Sequence, residues 1–226
     1  GKDSFSDTGV TFVDIPESVT YIGQYAFYRC NFESLDMKNV KKIDSYAFSW
    51  SKLVNLDLKN VTYVGSDAFE YCPITSIKAD KLEEIGSSAF ENTKFTEAYF
   101  PTVKRIGSVA FSNSSLKTAH FDSLEEALRA FERCSIQTIY ITNKNEGEID
   151  LGIPQNDIIS SKVIIYWKDT KPGFRYEILD DGTISVYQYI CNPGETNPET
   201  LIIPETIDGY TVTQIGNGRL PVGFKD

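Results

Sequence analysis

The chain has 226 residues, 41% of them hydrophobic and 24% charged, and no apolar run approaches the roughly 20 residues that a membrane span needs. A formal net charge of −10 argues against nucleic acid and against an anionic membrane surface, because both require clustered cations. A single histidine leaves no means of building a multi-histidine metal site.

Residues 1–9 read as an N-terminal extension with no basic-then-apolar signal pattern. From residue 10 to 142 one phrase keeps returning. It reads Ile22-Gly23-Gln24-Tyr25-Ala26-Phe27, then Ile43-Asp44-Ser45-Tyr46-Ala47-Phe48, and recurs ending in Phe69, Phe90 and Phe111. A copy one residue short ends in Ala130-Phe131. A fixed period near 21 residues is the mark of a solenoid, in which each coil buries its apolar edge only against its neighbours.

Eight residues after each Phe comes a short apolar-x-apolar run: Leu35-Asp36-Met37, Leu56-Asp57-Leu58, Ile77-Lys78-Ala79, Ala98-Tyr99-Phe100, Ala119-His120-Phe121 and Ile139-Tyr140-Ile141. Val13-Asp14-Ile15 is an earlier copy. Alternation makes each a strand with its flanks inward and its middle residue outward. The strands should form one parallel sheet on the concave side. The glycine after Ile is expected at positive φ. Ser45, Ser66, Ser87 and Ser108 are placed to cap short helical turns on the convex side. The segment Ser123–Phe131 has the propensity to lengthen its turn into a helix.

Cys30, Cys72 and Cys134 each lie three residues after a repeat Phe, so they share one phase of the coil. Two coils at about 4.8 Å spacing leave Cys30 and Cys72 too far apart for a disulfide. All three are read as small buried reduced thiols, and Cys191 as a cysteine without a partner.

Together these residues resemble the leucine-rich repeat superfamily. The phrase Ile-Gly-x-x-Ala-Phe, with Ile15-Pro16-Glu17-Ser18-Val19-Thr20 before its first copy, is similar to the BspA-like class. Asp44, in place of Gly, departs from that pattern. The resemblance implies an α/β solenoid, a non-catalytic protein without cofactors, and an extracellular or cell-surface setting in a microbe. It also implies adhesion to host or microbial extracellular proteins.

Residues 143–173 break the period and read as an irregular closing segment with one strand, Val163–Trp167. In 174–226, Tyr176–Leu179 and Thr183–Tyr187 flank Asp181-Gly182, a hairpin signal. Leu201–Ile207 and Val212–Gly216 then echo residues 15–19 and 19–23, as the start of a second array or a divergent cap.

The outward mid-strand residues form the candidate ligand-binding column: Asp36, Asp57, Lys78, Tyr99, His120 and Tyr140. Exposed amphipathic rings are typical binding anchors, although aromatics also favour strands for packing reasons. Asp36 and Asp57 have the spacing of a glycosidase carboxylate pair, but Lys38 and Lys59 beside them point to charge compensation on an open face. Asp14, Asp36 and Asp57 lack the loop of a calcium site. Protein recognition on the sheet is therefore the leading expectation. A ligand-free spacer and a glycan-binding accessory domain are the alternatives.

Overall fold

The computed structural model describes residues 1–144, 149–153, 163–167, 173–190 and 202–215. Cys191, Pro172 and the residues after Gln214-Ile215 lie outside these, so the readings made on them have no structural counterpart.

Two parallel sheets run along the array. The first holds six strands of two residues: β1 (Tyr21–Ile22), β2 (Lys42–Ile43), β4 (Tyr63–Val64), β6 (Glu84–Ile85), β8 (Arg105–Ile106) and β10 (Glu126–Ala127). Sequence reading did not expect this sheet. Each strand carries one outward residue and one inward residue, and the inward residues Ile22, Ile43, Val64, Ile85 and Ile106 are buried.

The strands expected from alternation form the second, broken sheet. β3 (Asn55–Asp57) pairs with β5 (Ser76–Lys78). β7 (Glu97–Phe100), β9 (Thr118–Phe121), β11 (Thr138–Ile141) and β12 (Ile164–Trp167) pair in that order, in parallel and in register. Residues 13–15 and 35–37 form no strand, a correction to the alternation argument. Their side chains still alternate, with Leu35 and Met37 buried and Asp36 exposed. The inward contact is thus kept where the backbone ladder is not.

The short helical turns expected between the sheets are absent: no helix occurs among the described residues. Left-handed φ values at Tyr25, Tyr46, Asp67, Ser88, Val109 and Arg129, and again four residues later at Arg29, Trp50, Tyr71, Asn92, Asn113 and Arg133, rule out a right-handed helix. The reason lies in where the amides point. The N–H groups of Tyr25, Phe27 and Arg29 donate to the carbonyls of Ser45, Ala47 and Ser49 on the next coil. Alternating N–H groups close three-residue-offset turns within the coil, as Ala26 does to Gly23 and Tyr28 to Tyr25. A segment this short cannot offset the cost of helix nucleation, whereas stacking on the next coil satisfies every second amide. The serines supply carbonyls to this ladder rather than helix caps. Ser123–Phe131 likewise contributes β10 and a turn, not a helix.

The repeat glycines are also used differently from expectation. Gly65 and Gly86 do not have positive φ. A Cβ at Gly65 would lie 2.6 Å from the Ser45 nitrogen and 2.7 Å from the Asp44 carbonyl carbon. At Gly65 the missing Cβ lets the backbones of successive coils approach this closely. Asp44 takes the same position, and its carboxylate accepts the Tyr21 hydroxyl at 2.5 Å and the Ser45 N–H at 2.8 Å.

Through the core runs a ladder of phenylalanines that ends on the exposed Phe5. Phe5, Phe27, Phe48, Phe69, Phe90, Phe111 and Phe131 stack ring on ring with centroids 5.2–5.8 Å apart. Phe32 and Phe95 meet the ladder edge-on. Each buried ring contributes about 1.5–3 kcal/mol by burial, and each ring pair about 0.5–1.5 kcal/mol more. Residues 3–8 join the ladder: the amides of Asp3, Phe5 and Asp7 donate to Gln24, Ala26 and Tyr28.

Beside the rings runs a column of small hydrogen-bonding side chains: Thr8, Cys30, Ser51, Cys72, Thr93, Ser114 and Cys134. Cys72 donates to the Phe48 carbonyl at 3.0 Å and contacts the Ser51 hydroxyl at 3.3 Å. Thr93 donates to the Phe90 carbonyl at 2.7 Å. The cysteines are free, but they are more than apolar filler, because each thiol pairs with a backbone carbonyl. Cys134 is only partly buried.

The C-terminal strands form a separate sheet. β13 (Gly173–Ile178) and β14 (Ile184–Ile190) pair antiparallel around Asp181-Gly182, where Gly182 has φ +78°. β15 (Thr206–Ile207) pairs antiparallel with β16 (Tyr210–Ile215), which runs parallel to β14. Ile184 and Val186 are buried there, outside the core of the array.

Candidate functional site

Strand register fixes which outward side chains are neighbours. In β7, β9, β11 and β12 it aligns Tyr99, His120, Tyr140 and Tyr166 on successive rungs. Their inward neighbours Phe100, Phe121, Ile139 and Ile141 are fully buried, which pins each strand and leaves the mid-strand ring outside.

The rings form one continuous column. His120 stacks on Tyr140 with centroids 4.1 Å apart, and Tyr140 stacks on Tyr166 at 4.8 Å. Tyr99 meets His120 edge-on at 6.3 Å and is 55% exposed, the most open ring of the four. Its hydroxyl donates to the Asp122 carboxylate at 2.6 Å, and Thr142 donates to the other oxygen of that carboxylate at 2.9 Å. The Asp122 hydrogen bond raises the Tyr99 hydroxyl above the ordinary tyrosine range. Desolvation lowers His120 below its ordinary value, outweighing the opposing pull of Asp122 and Glu97. That shift favours the neutral imidazole, which stacks on Tyr140 as an aromatic plate.

The acidic half of the predicted column is built differently. Asp57 and Lys78 are register partners on the parallel strands β3 and β5, so opposite charges stand side by side on an exposed face. Asp57 accepts the Lys59 N–H at 3.0 Å, and Asp36 accepts the Lys38 N–H at 2.9 Å. Lys38 in turn reaches the Asp14 carboxylate at 2.6 Å. Asp36 and Asp57 tie down the turns that follow them and line an open depression of ≈ 370 Å³. Of the six predicted residues, the structure brings together Tyr99, His120 and Tyr140. It leaves Asp36 off the sheet, and Asp57 with Lys78 on a separate pair of strands.

A profile of the BspA type leucine rich repeat region matches residues 1–95 and 83–150, in six copies. The chain belongs to this family. A solved leucine-rich repeat protein from Bacteroides ovatus ATCC 8483 is 16% identical, with a TM-score of 0.43. The match covers 75% of this chain and 60% of that one, so this chain spans less than two thirds of that protein. No curated protein matches the chain.

Within the BspA-type array, sequence reasoning missed Tyr166. It lies 26 residues after Tyr140, not 21, because the period breaks between them. It also missed the outward column of the first sheet, Tyr21, Lys42, Tyr63, Glu84, Arg105 and Glu126. Arg105 there pairs with Glu84 and lies 4.0 Å from Glu125, an exposed ion network of small energetic weight. A third outward set holds the left-handed turn positions. Trp50 stacks on Tyr71 at 4.1 Å, and Tyr25 on Tyr46 at 4.8 Å. The recurrence of residues two before and two after each Phe was the available signal, but nothing in it announced the left-handed backbone.

Proposed function

We propose that the BspA-type array is a non-catalytic recognition module of a microbial surface protein, and that it holds an extended protein partner on its strand face. The observation that carries this reading is the aromatic column Tyr99–His120–Tyr140–Tyr166. Three rings, His120, Tyr140 and Tyr166, are already ordered by stacking, with Tyr99 edge-on beside them and tied to Asp122, so little side-chain freedom is lost when a partner docks. Rings of this type supply much of the energy at protein interfaces. Asp122, Thr118, Thr138 and Thr142 flank the strip with polar groups that can complete hydrogen bonds to a peptide backbone. Family membership supports the surface setting by analogy alone.

The test is immobilised-chain binding against extracellular-matrix and plasma proteins, with a Tyr99→Ala/Tyr140→Ala variant whose circular dichroism matches the parent. Saturable binding weakened at least about tenfold in the variant, near 1.4 kcal/mol, is the expected result. No binding up to about 100 μM, near −5.5 kcal/mol, would overturn the reading and leave the array a spacer.

A further inference from the structure

The turn positions two residues after each repeat Phe are left-handed in every coil: Asp7, Arg29, Trp50, Tyr71, Asn92, Asn113 and Arg133. Asparagine and aspartate suit that conformation because a short polar side chain tolerates it. Bulky aromatic residues do not. Yet Trp50 has φ 62° and Tyr71 φ 55°, and their side chains remain 48% and 43% exposed. These two rings occupy a backbone geometry that disfavours them and lie outside the core. The two rings stack on each other at 4.1 Å and 20°.

The stack stops at Tyr71. The next rungs of the same column are Asn92 and Asn113, so no third ring covers the far face of Tyr71 among the described residues. Beside that gap the two amides converge: Asn92 donates to the Glu91 carboxylate at 3.4 Å and Asn113 to the same oxygen at 3.3 Å. An open aromatic face bordered by side-chain amides and a carboxylate matches one ligand chemistry closely. A pyranose ring presents an apolar C–H face to stack and equatorial hydroxyls that both donate and accept.

We propose that this turn face is a second binding site, for a neutral glycan, in which a sugar ring takes the next place in the Trp50–Tyr71 stack and its hydroxyls bond Glu91, Asn92 and Asn113. The site is separate from the strand-face column. It uses none of Tyr99, His120, Tyr140 or Tyr166, so either site can fail without the other.

The experiment is isothermal titration of the intact chain with maltohexaose, cellohexaose, xylohexaose, mannohexaose and chitohexaose, with hexalysine as a cationic probe. Trp50→Asn and Tyr71→Asn introduce the residue that neighbouring coils already use at this left-handed position. They are expected to keep or raise the melting temperature while weakening glycan binding at least about tenfold. Asn92→Trp extends the stack into the space assigned to the sugar and is expected to abolish binding. The Tyr99→Ala/Tyr140→Ala variant is expected to bind glycan as the parent does. The proposal is overturned if no hexasaccharide binds at up to about 10 mM. It is equally overturned if hexalysine alone binds, or if binding survives the Asn substitutions. Should those substitutions instead lower the melting temperature, Asn92→Trp decides: retained glycan binding overturns the proposal, and lost binding supports it.

Discussion

Replacing Gly86 with alanine separates the turn ladder from a helical turn by the sign of its effect. In a helical turn, Gly→Ala stabilises by about 1 kcal/mol through backbone entropy. In the observed ladder the new methyl group points into the preceding coil. An ideal Cβ at Gly86 lies against the Ser66 nitrogen and 2.9 Å from the Gly65 carbonyl oxygen, where ordinary contact begins at 3.4 Å. These atoms are backbone on both sides, so no rotamer change relieves the clash and the coils must separate by several tenths of an ångström or more. The same residue donates its N–H to the Val64 carbonyl at 2.8 Å, and that bond stretches with the separation. Overpacking costs about 1–3 kcal/mol, and a weakened buried hydrogen bond about 1 kcal/mol. The expected loss is therefore about 2–4 kcal/mol, with a melting temperature lowered by roughly 5–15 °C. Urea and thermal unfolding, followed by far-ultraviolet circular dichroism, measure both. An unchanged or raised midpoint would refute the close-approach argument and return the glycine to a conformational role.

Two further outcomes follow from ionisation. Burial raises the Glu70 carboxyl above its ordinary value, and Asp67 and Glu91 raise it further against the Ser49 hydrogen bond. A carboxyl whose folded value is raised favours folding when protonated, and that contribution is lost as pH climbs from the unfolded to the folded value. Glu70→Gln should therefore raise the melting temperature at pH 7, and the gain should vanish below the ordinary carboxylate range; a Gln variant less stable at pH 7 would contradict this sign. Burial pushes the Cys72 thiol up to about 12, so in the folded chain at pH 8 its peptide should resist iodoacetamide in mass spectrometry and react once denaturant is added. Equal labelling in both states would show that the small-residue column is not closed.

The parts of this fold legible in the sequence are those where one residue reports on its own environment. The Phe ladder and the strands at 56, 77, 98, 119 and 139 each show an inward residue at a fixed step, so period and alternation suffice. The first sheet was illegible because a two-residue strand such as Lys42–Ile43 has no alternation to read. The turn geometry was illegible for a deeper reason. Nothing in Tyr25, Trp50 or Tyr71 prefers a left-handed backbone; the preference belongs to the next coil, whose carbonyls at Ser45, Glu70 and Glu91 receive their amides. Sequence reading weighs each residue against its chain neighbours, whereas in a solenoid the residue 21 positions away decides. The same logic divides the candidate site. Tyr99, His120 and Tyr140 were found because they keep the period, and Tyr166 was lost because the chain leaves it before returning to the sheet. Asp36 and Asp57 looked chemical because their carboxylates are one coil apart, but each is held by a local N–H. Residues set against their own backbone preference are the more informative kind, since the ladder would form as well with asparagine. A tryptophan and a tyrosine at those rungs add little to the fold, which is why the turn face, and not only the strand face, is a place to look for a ligand.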